Sequence, residues 1–134
     1  RPDRAFGIES IRHHRITPDE ASSGEPVTEV VREFLHWLGG RRLLGYYLGF
    51  DLDMLGPHVR ALTGFELPNP RVDLGDDVAA CQRRQRPDAP VNLDLGHIAS
   101  RLGVPMIGRH TALGDATTVG LCWLALQRRG WPAE

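Results

Sequence analysis

The segment Arg109-His110-Thr111-Ala112-Leu113-Gly114-Asp115-Ala116 sets a histidine and an aspartate five residues apart where a helix is expected to begin. Upstream, Gly45-Tyr46-Tyr47-Leu48-Gly49-Phe50-Asp51 ends an apolar and aromatic run with a second aspartate. An imidazole can take a proton from water near neutral pH, and carboxylates are hard oxygen donors for a divalent cation. Those are parts of metal-assisted phosphodiester hydrolysis. Each residue also has a plainer use. An aspartate after a strand commonly caps or solvates a turn, and a histidine before a helix is commonly just exposed.

The elements that must position these residues can be read from periodicity and breakers. Residues 1–16 show no sustained period. Thr17-Pro18-Asp19-Glu20 combines an N-cap, a proline at the first helical position and a glutamate three after the cap, which predicts a short helical turn before an Ala21–Gly24 loop. Val27, Val30, Val31, Phe34, Leu35 and Leu38 recur at helical spacing, and Gly39-Gly40 stops the run. Leu43–Leu48 suits a strand covered on both faces, as in a parallel sheet. A helix is expected from Asp51 to about Thr63, with Pro57 kinking it or restarting it after Gly56. Val72-Asp73-Leu74 opens a brief strand leading into a helix near Asp77–Arg86. Asn92 is placed to cap a helix over Leu93–Leu102 closed by Gly103. The last helix should run from near Thr111 to about Arg128, with Ala112, Ala116, Val119, Gly120, Trp123 and Leu124 as its small-to-apolar face. Strand followed by helices argues an α/β fold. Five helices to one clear strand is lopsided, as in the helical majority of a domain whose sheet is partly elsewhere.

Composition narrows the classes without choosing a function. A chain of 134 residues is about one domain. The net charge of -1 gives no global attraction to nucleic acid, so any such contact must be local. No apolar run approaches the roughly 20 residues that span a bilayer, and no apolar stretch follows Arg1-Pro2-Asp3-Arg4 as a secretory signal would require. Cys81 and Cys122 lie far apart in different predicted helices and fit reduced thiols rather than a disulfide or zinc site. All 16 basic residues are arginine, a pattern that GC-rich codon usage explains more simply than phosphate binding by guanidinium groups. His13-His14, His36, His58 and His97 lack ligand spacing, and Arg41-Arg42 and Arg83-Arg84-Gln85-Arg86 read as solvated faces.

The two opening segments, in this order, resemble the second and third motifs of the DEDDh family of 3′–5′ exonucleases, whose members include the proofreading epsilon subunit of DNA polymerase III. Asn92–Val104 resembles the family's penultimate helix, and Ser10–Ala21 the segment before its first long helix. The resemblance implies an RNase H-like α/β exonuclease fold. It implies a two-metal Mg²⁺ or Mn²⁺ site, with Asp51 and Asp115 as metal ligands and His110 as general base. Phe50, Tyr46 and Tyr47 would bind substrate, the tyrosines standing where many members have His-Asn. The implied partners are the 3′ end of single-stranded DNA or RNA and a DNA polymerase, in the cytoplasm and away from membranes.

The family's first motif, Asp-x-Glu on an apolar strand, occurs nowhere in these residues. Residues 1–134 are therefore read as the C-terminal two-thirds of one exonuclease domain whose N-terminal strands are missing. Such a chain should be inactive alone and should self-associate through its exposed sheet edge, as a homodimer or aggregate. The rival readings are a non-catalytic nucleic-acid- or protein-binding module derived from the same fold, and a structural domain in which His110 and Asp115 merely cap a helix.

Overall fold

A computed structural model describes residues 16–132. Among them the order is α1 (Pro18–Ser22), α2 (Val27–Leu38), β1 (Leu43–Gly45), α3 (Leu48–Thr63), β2 (Arg71–Asp73), α4 (Leu74–Gln85), α5 (Leu95–Leu102) and α6 (Ala112–Arg129). β1 and β2 pair in parallel, with Leu43 opposite Arg71, Leu44 opposite Val72 and Gly45 opposite Asp73. The chain forms two compact units: one reaches to Arg41 and includes Phe50–Asn69, and the other comprises Arg42–Gly49 and the chain from Pro70 onward.

In the first unit α1 opens with the expected capping box. The Thr17 hydroxyl accepts from the Glu20 amide, and the Glu20 carboxylate accepts from the Thr17 amide at 2.8 Å. The Thr17 amide and hydroxyl both donate to the Glu20 carboxylate, which stabilises its charged form and holds the carboxyl below its usual pKa. The helix extends through Ala21 and Ser22, two residues into the segment expected to be loop. α2 has the expected bounds and buries Val31 and Leu38. Its C-terminal Gly39 carbonyl accepts from the Asn69 side-chain amide at 2.8 Å, and the Arg41 carbonyl accepts from the same nitrogen at 2.7 Å. Asn69 is itself buried, so these two bonds satisfy a group that would otherwise be costly to bury.

In the second unit Leu74, Val78, Ile98, Ala99, Leu102, Val119, Cys122 and Leu126 form one apolar cluster drawn from α4, α5 and α6. Leu44 and Tyr46 pack against it from β1 and the turn that follows. The Trp123 indole N–H donates to Asp77 across the α6–α4 seam at 3.1 Å. Asp73 caps α4, its side chain accepting from the Gly75 amide at 2.8 Å.

Four details differ from the sequence reading. The strand stops at Gly45 and is half-buried rather than fully covered. Tyr47 then turns the chain in a left-handed conformation at φ 54°, and α3 starts at Leu48, whose amide donates to Asp73 at 2.7 Å. α3 also continues through Pro57. That proline withholds one bond from the Asp53 carbonyl, and both residues are exposed, so water can replace it. Asp94, not Asn92, caps α5: Asn92 accepts from the Asp94 amide in a turn, and Asp94 accepts from the His97 amide at 2.8 Å. Finally, α6 buries Gly114, Thr118, Val119, Cys122 and Leu126, while Ala112, Ala116 and Leu124 are exposed. The buried stripe holds a glycine and a threonine, which a search for apolar residues passes over.

Candidate active site

Thr111 is the N-cap of α6. Its hydroxyl accepts from the Gly114 amide at 3.1 Å and donates to the Gly108 carbonyl at 2.6 Å. The preceding residue, His110, is exposed and sits at φ 67°, a left-handed conformation in which non-glycine residues are uncommon. Asp115 lies in the first turn, half-buried, and its Oδ1 accepts from the His110 amide at 3.3 Å. The structure therefore brings His110 and Asp115 together through the backbone. The helix N-terminus also adds a partial positive charge that favours a carboxylate at this position.

Asp51 lies in the first turn of α3 and is exposed, beside Phe50, which is 71% exposed. Both belong to the first unit, and His110, Asp115, Tyr46 and Tyr47 to the second. Tyr46 is half-buried, and its hydroxyl donates to the Leu93 carbonyl. Burial pushes that hydroxyl up to about 12, with smaller contributions from Tyr47, Asp94 and Asp73. Its ring centre lies 4.6 Å from that of Tyr47, which is 59% exposed. Of the two tyrosines, Tyr47 offers the accessible face.

A sequence model of the exonuclease family matches residues 1–120. This chain belongs to the exonuclease family. The α/β arrangement of helices around a small parallel sheet agrees with the RNase H-like fold of that family. Over 128 residues the chain is 27% identical to the DNA polymerase III subunit epsilon of Haemophilus influenzae, covering 94% of this chain and 49% of that protein. It is 26% identical over 128 residues to the PolC-type DNA polymerase III of Oceanobacillus iheyensis, covering 95% of this chain and 9% of that protein. The chain thus spans about half the length of one curated relative and a small part of the other.

The exonuclease family is generally dependent on divalent metal. Asp51 and Asp115 are the right kind of donor for Mg²⁺ or Mn²⁺. Among the described residues, however, no three His, Cys, Asp or Glu side chains gather as a metal site. His13 and His14, and residues 10–15 of the segment before the first long helix, lie outside the described residues. His36, His58 and His97 sit on α2, α3 and α5, with the His97 ring 6.5 Å from that of Trp131. No helix is long and apolar enough to cross a membrane among the described residues.

Two residues at this site were not singled out from the sequence. A Cβ on Gly114 would overlap the carbonyl oxygens of Ile107 and Gly108 and stand 2.7 Å from the Gly108 carbonyl carbon. Thr118, fully buried, bonds both the helix and the loop. The available signal was their spacing: Gly114 and Thr118 are four apart, on one face of the helix that follows the histidine.

Proposed function

We propose that this chain carries His110, Asp51 and Asp115 for a 3′–5′ exonuclease that hydrolyses terminal phosphodiesters of single-stranded nucleic acid, DNA rather than RNA, with Mg²⁺ or Mn²⁺. The observation that carries the reading is an exposed histidine tied to an aspartate at the first turn of α6, in a chain of the exonuclease family. His110 would accept the proton of the attacking water. Asp115, at the positive end of α6, and Asp51, at the start of α3, would offer carboxylates to the cation. When bound, that cation supplies positive charge against the phosphate. Phe50 and Tyr47 present exposed rings on which a terminal base could stack, at roughly 1–3 kcal/mol per base. Tyr46 would support Tyr47 from beneath.

The proposed partners are a single-stranded 3′ end, a DNA polymerase, as the names of both relatives suggest, and a second copy across the edge of β1; the proposed location is the cytoplasm. Turnover by the 134 residues alone is not expected, since no Asp-x-Glu pair occurs in them. A second reading, a binding module without catalysis, draws support from one observation: Asp115 already accepts the His110 amide and so has a structural use.

Metal-dependent stability separates the two. Saturating Mn²⁺ should stabilise the intact protein carrying this chain by about 2.7 kcal/mol at a hundredfold excess over Kd, read as a higher melting temperature. Asp51→Asn and Asp115→Asn should each remove most of that gain. Equal stabilisation of all three proteins would return both aspartates to helix ends and turns.

A further inference from the structure

The segment 107–111 is fastened to α6 at two levels. At the first, Thr111 caps the helix and binds the Gly108 carbonyl, which accounts for the local turn. At the second, the loop backbone lies directly on the helix at Gly114, where any side chain would overlap the Ile107 and Gly108 carbonyls. One turn further on, the Thr118 hydroxyl donates to the Gly114 carbonyl at 3.0 Å and accepts from the Ile107 amide at 3.0 Å. A helical threonine commonly bonds back to the carbonyl four residues earlier. Here the same oxygen also takes the amide of a residue eleven positions away, outside the helix. Without it that part-buried N–H loses its acceptor. His110 stands between these two attachments, in a backbone conformation that persists only where its surroundings determine it.

We propose that Thr118, with Gly114, is a positioning residue for His110. Its buried hydroxyl joins the histidine loop to α6, so the setting of the imidazole depends on a side chain in the helix core. The catalytic consequence rests on the reading of His110 as general base, whereas the joining of loop to helix does not.

Thr118→Val keeps the shape of the side chain and deletes the hydroxyl; Thr118→Ser keeps the hydroxyl and deletes the methyl. In the intact protein carrying this chain, Thr118→Val should speed amide exchange at Ile107 about tenfold, the scale expected when a part-buried amide loses one bond. Cys122 and Leu126 in the same helix should keep their protection, and the His110 ring resonances should move. Thr118→Ser should hold the parental values at Ile107 and His110. In the intact enzyme, Thr118→Val should lower kcat about tenfold or more with little change in KM, and Thr118→Ser should restore it. If Thr118→Val does not fold, Thr118→Ala removes the same hydroxyl and lets water reach the Ile107 amide. Parental exchange at Ile107 without the hydroxyl, or failure of serine to restore it, overturns the proposal. If the loop responds as expected while His110→Ala leaves turnover intact, the loop attachment stands and the catalytic reading of His110 is what fails.

Discussion

The first turns of α3 and α6 each carry an aspartate proposed for the same task, and they are held in different ways. At α6 the turn has a side-chain cap from Thr111, a backbone contact at Gly114 and a buried hydroxyl at Thr118. At α3 the first helical amide, that of Leu48, reaches the Asp73 carboxylate 25 residues away, and the next three residues, Gly49, Phe50 and Asp51, are all exposed. The α6 turn is set by its own helix and loop. The α3 turn is set by the end of the neighbouring strand, through one carboxylate that also caps α4 by accepting from Gly75 at 2.8 Å. A proton-accepting side chain needs fixed geometry, and the more closely tethered of the two turns is the one beside the histidine.

The largest effect on stability should come from disturbing the α6 end. Gly114→Ala must push the Ile107–Gly108 backbone away from the helix, an overpacking cost of about 1–3 kcal/mol in denaturant unfolding. Gly120→Ala makes the matching control in the same helix, because a Cβ there meets nothing within 4 Å. It should stabilise by up to about 1 kcal/mol through helix propensity. A destabilisation by Gly114→Ala no larger than at an ordinary surface position would show that the loop does not rest on α6.

Asp73→Ala tests the α3 end. It removes the acceptor for both the Leu48 and Gly75 amides and should cost about 0.5–2 kcal/mol, the range of a lost helix cap. Amide exchange should quicken at Leu48 and Gly75 and stay unchanged at Gly114. Faster exchange at all three would mean that the two turns are not independently held, and the contrast would fail.

The smallest effect concerns Tyr46, which follows β1 and precedes α3. Burial raises its hydroxyl to about 12, so the folded chain holds that proton more tightly than the unfolded chain, whose tyrosine titrates near about 10. The contribution is full below about pH 10 and is lost as pH rises towards about 12. Tyr46→Phe should be less stable at neutral pH, for want of the bond to Leu93, and should lack this alkaline decline. Parallel pH–stability curves for parent and variant would contradict the assignment.

Much of the fold was legible because strong local signals stood near its boundaries. The Thr17 box, the Val27–Leu38 stripe with Gly39 after it, and the Gly103 stop each have a nearest-neighbour cause, and each is found. The departures come from longer-range partners. Asp73 allows α3 to begin three residues before Asp51, and Gln82 holds the Asn92 backbone on both sides while Asp94 takes the cap. That His110 and Asp115 meet was legible from their spacing across a helix start. Gly114 and Thr118 were not, since a glycine matters here only through a loop that closes over it, and a threonine only through an amide outside its helix.

The central claim is that His110 accepts the proton of the attacking water. Its most direct test is turnover of a 3′-labelled single-stranded DNA with Mn²⁺ by the intact protein carrying this chain, compared with its His110→Ala variant across pH. The account predicts a loss of about 10²- to 10⁴-fold. Mn²⁺ should still stabilise both proteins. Undiminished activity in His110→Ala would contradict it.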